Sequence, residues 1–271
     1  MVTFEYFEEQ LKKSLPERYR DLRIEWAFTS EIVRERANEK FRKAGINRRF
    51  RSLAQVVSDL EDEGYRKIFI QPLHIFPGIE YRHLKEMVEG LEKTFREFHL
   101  TLRVGYPLLA HWEWVEEAIE ALEPDLLKEN EGCNVLSAHG TWDTSDGANI
   151  TYLGLERLLK ERYSNVSLGA IEGIPTRKMA LDEAKRCGKK RVRFIPFMFV
   201  AGDHIMNDIM GKEPSEDGEL SWALELKREG FQVEALKINY KGVELYKSLG
   251  LNERVNELFI RNILKGLKGI R

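Results

Sequence analysis

Three side chains able to bind a metal ion follow short apolar segments at regular intervals. His139 ends the apolar segment 133–138, Glu172 ends the segment 166–171, and His204 comes shortly after the segment 192–200. The three residues are 33 and 32 positions apart, which is the spacing of successive βα units. Because parallel strands end at the edge where α/β sheets bind ligands, we expect all three side chains there. Two imidazoles and one carboxylate suit a divalent transition metal with open coordination positions.

The segment around His204 shows how one of these residues would be positioned. Residues 192–200 (VRFIPFMFV) are rich in β-branched and aromatic side chains and predict a buried strand of a parallel sheet. Asp203 is predicted to cap a helix that ends at Gly211, which places His204 in the first helical turn. The alternative for His204 is a solvated histidine at a helix terminus.

Asp208 follows His204 by one helical turn. Its carboxylate could reach back and orient the imidazole. The alternative is an ordinary solvent-facing helix residue, and the spacing alone does not separate the two.

The chain of 271 residues fits one large α/β unit or two of ordinary size. Alternating strand and helix patterns run through it, with the best linker at residues 130–132 (NEG). We therefore predict an N-terminal α/β lobe at 1–130 and a C-terminal α/β lobe at 131–271 that carries the metal site. Strands of the first lobe are predicted at 22–27, 67–75 and 100–104.

A short internal sequence repeat, called the internal echo below, indicates that the two lobes are related. Residues 72–80 (PLHIFPGIE) align without a gap on residues 196–204 (PFMFVAGDH), so that Glu80 takes the place of His204. The second half opens with a strand that ends at His139, whereas the first half opens with a helix. The first strand of the N-terminal lobe is therefore expected to be absent.

Composition narrows the class of protein. With 43 basic and 45 acidic side chains, the net charge is close to zero and gives no sign of nucleic-acid binding by the chain as a whole. The basic segment 40–51 is interpreted as a solvated surface. Two cysteines, Cys133 and Cys187, form no CxxC motif and predict no disulfide framework, which fits a reducing compartment. No signal peptide or membrane span is recognisable. We expect a cytoplasmic protein that binds neither nucleic acid nor membrane.

Five segments together carry a resemblance to a known family. The chain resembles the anaerobic cobalt chelatases, which are the sirohydrochlorin cobaltochelatases of cobalamin biosynthesis. The segment 200–208 is the most specific, and the others support it because they occur in the same order: 26–30 (WAFTS), 71–81 (QPLHIFPGIEY), 138–140 (AHG), 168–172 (LGAIE) and 200–208 (VAGDHIMND).

This resemblance implies a chelatase-like fold of two similar lobes, each with a parallel, helix-flanked sheet, and a tetrapyrrole cleft between them. It also implies a lyase that inserts Co(II), its substrate metal, into sirohydrochlorin without an organic cofactor. The family's metal-binding residues fall on His139, Glu172 and His204, and the first of these is also regarded there as the proton acceptor. Phe28, Glu80 and Asp208 are the further candidates for the substrate cleft.

Several alternatives stay open. A His/Glu/His site hardly discriminates between Co(II), Fe(II) and Ni(II), so a related chelatase for another metal is one of them. The second is a non-catalytic tetrapyrrole or metal carrier, because the first strand and its loop are missing. The sheet edge exposed by that loss could also be covered by another copy of the chain, which makes a homo-oligomer possible.

Overall fold

The computed structural model describes residues 2–270, which form two compact units. The four-stranded unit comprises residues 2–14, 73–78 and 107–260, and the two-stranded unit comprises residues 15–72, 79–106 and 261–270. Both units contain parallel strands with helices around them, so the predicted α/β class is confirmed. Each unit combines three separate segments, whereas the sequence predicted one boundary near residue 130, and that boundary stays a prediction.

The two-stranded unit is built on one pair of parallel strands. Strands β1 (Lys67–Ile70) and β2 (Thr101–Val104) pair from Lys67 opposite Thr101 to Ile70 opposite Val104. Leucine and valine side chains of two helices pack around this pair together with Tyr81. In chain order the elements are α2 (Glu31–Lys43), α3 (Leu53–Asp62), β1 (Lys67–Ile70), α4 (Ile79–Thr94) and β2 (Thr101–Val104).

The prediction of a strand at residues 22–27 is wrong, because this segment has no regular secondary structure. Its charged side chains are tied to other side chains: Glu25 pairs with Arg23 at 2.6 Å and also with Arg51. Just beyond it, the Phe28 amide donates to the Arg51 carbonyl at 3.0 Å. The segment is therefore fixed by ion pairs and single hydrogen bonds instead of a strand ladder. Residues 2–14, for which the sequence predicted a helix and not a strand, form helix α1 (Val2–Ser14).

The four-stranded unit contains a parallel sheet in the order β4 (Val166–Glu172), β3 (Cys133–Gly140), β5 (Arg191–Pro196), β6 (Gln232–Ala235), and a separate antiparallel hairpin of β7 (Lys237–Tyr240) and β8 (Val243–Tyr246). Its helices lie between the strands along the chain, as βα units require. Its elements after α1 are α5 (Trp112–Leu122), β3 (Cys133–Gly140), α6 (Ala148–Arg162), β4 (Val166–Glu172), α7 (Arg177–Arg186), β5 (Arg191–Pro196), α8 (Gly202–His204), a π-helix (Ile205–Ile209), α9 (Trp222–Arg228), β6 (Gln232–Ala235), β7 (Lys237–Tyr240), β8 (Val243–Tyr246) and α10 (Glu253–Gly269), whose last turns belong to the two-stranded unit.

Strand β3 is the buried centre of this sheet, with β4 on one side and β5 on the other. Its first six residues are all buried, as expected for a strand whose two faces are both covered. Val135, Phe194 and Trp222 belong to the core packed against one face. Strand β5 ends at Pro196 instead of the predicted Val200, although the amide of the next residue, Phe197, still donates to the Ser137 carbonyl of β3 at 2.7 Å.

A disulfide joins the first residue of β3 to the end of α7. It links Cys133 and Cys187, whose Cα atoms are 6.3 Å apart, within the usual range for such bonds. The prediction of no disulfide is therefore wrong. The sequence shows only two isolated cysteines, and pairing across 54 positions depends on how α7 returns along the sheet.

None of the helices formed by residues 2–270 combines the length and the apolar character that crossing a bilayer requires.

Candidate metal-binding site

His139 is the last residue but one of β3, and its side chain is exposed although the six residues before it are buried. Its Nδ1 atom lies 2.9 Å from the carbonyl oxygen of Gly140. A carbonyl oxygen only accepts hydrogen bonds, so Nδ1 donates to it and the neutral ring keeps its lone pair on Nε2. The strand end thus presents one imidazole nitrogen that can bind a metal ion or accept a proton.

Gly140 allows β3 and β4 to come together at this edge. It lies opposite Glu172 in the sheet register and has a φ of +76°. A Cβ atom at this position would overlap the carbonyl oxygen of Glu172. Because only glycine avoids both the overlap and the left-handed backbone strain, the residue after His139 is restricted to glycine.

Glu172 is the last residue of β4 and is half-buried. Its backbone neighbours that of Gly140, at the roughly 4.8 Å spacing of adjacent strands. Asn149, near the start of α6, connects the loops that follow the two strands. Its Oδ1 accepts from the Ile174 amide at 3.0 Å, and its Nδ2 donates to the Asp143 carbonyl at 3.4 Å. The sequence reasoning missed Asn149, because a single asparagine in a helical pattern carries no signal of such a contact.

His204 is reached from β5 through a short loop and the single turn of α8. The helix begins two residues earlier than predicted: Ala201 is the N-cap residue, and the prediction that Asp203 caps it is wrong. The turn continues as a π-helix, in which the Met210 amide donates to the Ile205 carbonyl at 2.8 Å. Such π-helical turns are rare and occur often at functional sites.

Asp208 lies in this π-helix and contacts the histidine. Its Oδ2 is 2.6 Å from Nδ1 of His204, which is a short, charge-assisted distance. The predicted reach of Asp208 back to the imidazole is therefore present in the structure. As in His139, Nδ1 donates its hydrogen bond to an acceptor, and the lone pair of the neutral ring is on Nε2.

The structure brings the two imidazoles together. The ring centroids of His139 and His204 are 4.8 Å apart, with an interplanar angle of 82°. Within residues 2–270, however, no group of three or more His, Cys, Asp or Glu side chains is close enough to hold a metal ion. The structure thus brings two of the three candidate ligands together. The backbone of the third, Glu172, pairs with that of Gly140, next to His139.

The two remaining candidates belong to the two-stranded unit. Phe28 is half-buried and stacks face to face on Phe50, with ring centroids 3.9 Å apart. Glu80 is exposed in the first turn of α4, at the position that the internal echo assigned to it. Their contact with a substrate stays a prediction.

The fold is that of known tetrapyrrole chelatases. SirB from Bacillus subtilis with Fe3+ superposes with a TM-score of 0.54 at 13% identity, covering 90% of this chain and 94% of that one. The sirohydrochlorin chelatase SirB from Bacillus subtilis subspecies spizizenii in complex with cobalt gives a TM-score of 0.51 at 13% identity, covering 88% and 89%. At this identity the likeness establishes the architecture, and it confirms the predicted chelatase-like fold.

Sequence comparison identifies the family within that fold. The family model "Cobalt chelatase (CbiK)" matches residues 3–268, and the chain belongs to this family of chelatases, which are lyases. It is 28% identical over 232 residues to the sirohydrochlorin cobaltochelatase CbiKC of Nitratidesulfovibrio vulgaris, covering 85% of this chain and 75% of that protein. It is 26% identical over 243 residues to the sirohydrochlorin cobaltochelatase of Salmonella typhimurium, covering 89% and 82%. The family resemblance seen in the sequence is therefore confirmed.

Proposed function

We propose that this protein inserts Co(II) into sirohydrochlorin, a step of anaerobic cobalamin biosynthesis. Membership of the cobalt chelatase family and the names of its relatives support the reaction and the substrate. The observation that carries the proposal is the pair of imidazoles 4.8 Å apart at the carboxyl edge of the four-stranded sheet. Each ring has its Nδ1 engaged, which leaves the lone pair of each neutral ring on Nε2.

The reaction explains why such residues are needed. When Co(II) enters the macrocycle it forms bonds to the four pyrrole-type nitrogens, and two N–H bonds break with release of two protons. The protein has to bind the ion weakly enough to release it and has to accept protons as it enters. Imidazole and carboxylate ligands hold Co(II) less firmly than thiolates do, and a neutral imidazole accepts a proton near neutral pH.

We assign His139 and His204 as the metal ligands that bind through Nε2, and His139 also as the proton acceptor. Glu172 is included as the third ligand because its backbone adjoins Gly140, next to His139. Its side chain has to turn toward the two rings when the metal arrives. Three protein ligands would leave coordination positions open for the nitrogens of the macrocycle.

Substrate contacts, location and assembly belong to the same proposal. Sirohydrochlorin carries many carboxylates, and Phe28 and Glu80 are retained as candidates for contacts with it. Cytoplasmic location and self-association also stay predictions. Light scattering of the purified protein would measure its oligomeric state.

The test is an anaerobic insertion assay that follows the absorbance of the macrocycle with Co(II), Fe(II) or Ni(II). We expect Co(II) insertion by the wild-type protein and a loss of about 10²–10⁴-fold in His139→Ala, the usual effect of removing a general base. Binding of the metal-free macrocycle should be retained. The matched control is His83→Ala, which changes an exposed histidine of the two-stranded unit.

Two results would contradict the proposal. Wild-type turnover in His139→Ala would remove the role of this residue. A wild-type protein that binds both Co(II) and the macrocycle, yet metallates it no faster than buffer does, would be a carrier and not a chelatase.

A further inference from the structure

We propose that Asp208 is a positioning residue that fixes the tautomer and the orientation of His204, so that Nε2 of this ring is the atom presented to the metal. The inference rests on the proposed function, in which His204 binds the metal that is inserted. It adds a residue that does not touch the metal but determines how firmly His204 holds it.

The geometry of the pair supports this role. Nδ1 of His204 and Oδ2 of Asp208 are 2.6 Å apart. An ionised carboxylate only accepts hydrogen bonds, so the hydrogen of the imidazole has to be on Nδ1. The lone pair of the neutral ring is then on Nε2, the nitrogen that remains available for a metal ion.

The contacts of Asp208 are those expected of a positioning residue. Among the contacts made within residues 2–270, His204 is the hydrogen-bond partner of the carboxylate, and no lysine or arginine reaches it. Ile205 and Ile209, on the same π-helix, are buried in the core of the four-stranded unit. The backbone that carries Asp208 is therefore held in place, while its carboxylate serves the histidine.

The two imidazoles differ in the kind of acceptor they contact. Nδ1 of His139 donates to a neutral backbone carbonyl, whereas Nδ1 of His204 donates to a carboxylate. A carboxylate partner makes an imidazole a more electron-rich ligand, and loss of such a partner typically weakens metal binding by 10- to 100-fold. We therefore assign His204 as the firmer ligand of the two.

The first test measures the tautomer directly in the metal-free protein. The ¹⁵N chemical shifts of the ring nitrogens of His204, assigned with His204→Ala, report which nitrogen carries the hydrogen. We expect the Nδ1–H form in the wild-type protein. In Asp208→Ala no carboxylate selects the tautomer, so the shifts should move toward a mixture of both forms. A wild-type His204 with its hydrogen on Nε2 would overturn the inference.

The second test measures Co(II) affinity by calorimetry without the macrocycle. Asp208→Ala should raise the Kd by about 10- to 100-fold. Asp208→Asn, which keeps an acceptor but loses the charge, should give a smaller rise and covers the case in which the alanine variant does not fold. The matched control is Asp182→Ala on α7. Asp182 also contacts the residue four positions earlier, at 2.6 Å, with 39% of its side chain exposed against 44% for Asp208.

The outcomes separate this inference from the proposed function. Unchanged Co(II) affinity in both Asp208 variants would overturn the positioning role, even if the wild-type protein inserts cobalt. If the wild-type protein binds Co(II) with the expected tautomer and the expected response to Asp208→Ala but never metallates sirohydrochlorin, then the proposed function fails and the positioning role stands.

Discussion

The segments 67–81 and 191–205 have a common pattern but different surroundings. In each, a parallel strand leads through a loop into a helix, and β1 and β5 begin 124 positions apart, the offset of the sequence echo. Strand β5 lies between β3 and β6, and four of its six residues are buried. Among the strands formed by residues 2–270, β1 pairs with β2 alone, and none of the residues of β1 is buried.

This difference shows what the repeated pattern determines and what it does not. The pattern is sufficient for a strand, a loop and a helix start. The number of neighbouring strands decides how much apolar surface is buried and therefore how firmly the end of the strand is held. The candidate ligands follow the strands of the larger sheet, whose ends are the more firmly held.

The largest expected effect concerns the cores behind the two segments. Phe194 of β5 is fully buried, and its counterpart at the same offset is the half-buried Ile70 of β1. Phe194→Ala should lower the free energy of unfolding by about 3–5 kcal/mol through lost burial and a residual cavity. Ile70→Ala should cost about 1–2 kcal/mol because part of its surface is already exposed. Urea denaturation of both variants, with hydrogen exchange to assign each transition, measures this, and equal losses would contradict the comparison.

The next effect concerns the disulfide, which has no counterpart in the two-stranded unit because the chain has only two cysteines. Reduction should lower the stability of the four-stranded unit by about 2–4 kcal/mol, since the bond closes a long loop of the unfolded chain. Hydrogen exchange should then rise in β3 and α7 and not in β1. The double variant Cys133→Ala/Cys187→Ala is the control, because reductant should leave its exchange unchanged. If the amides of β3 are equally protected from hydrogen exchange with and without reductant in the wild-type protein, then the bond contributes nothing to the stability of this unit.

The smallest expected effect, in free energy, concerns the residues at the two helix starts. His204→Ala should weaken Co(II) binding by about 100-fold, or about 2.7 kcal/mol. Glu80→Ala should change it by less than about 3-fold, because Glu80 has the equivalent place in the echo but is a candidate for substrate contact and not one of the three proposed metal ligands. Calorimetric titration of both variants decides this, and a large loss in Glu80→Ala would make Glu80 part of the metal site.

Much of the fold was predictable from the sequence because burial of parallel strands produces continuous apolar segments. The runs before His139 and Glu172 and the run before His204 all become strands of one sheet, and their ends meet at one edge. The proximity of His139 and His204 follows from this topology. The contact of Asp208 with His204 is one of the two alternatives that helical spacing allowed, and the π-helical turn between them does not prevent it.

The features that were not predictable depend on tertiary contacts. Residues 22–27 alternate like a strand, yet ion pairs of Glu25 replace the ladder. Asp203 has the residue type of a cap, but the helix begins before it. The side-chain direction of Glu172, which decides whether three ligands converge, is a rotamer choice that no sequence pattern specifies.

Because the Cys133–Cys187 bond can be reduced, the protein has two possible chemical forms, one bonded and one with free thiols. The bonded and thiol forms differ by two hydrogen atoms, so intact-mass spectrometry of the unreduced sample counts each population. The loop that it closes includes His139 and Glu172 but not His204. Activities measured with and without dithiothreitol therefore refer to two chemical species. In a cell, the redox potential of the thiol pool would determine which species is present.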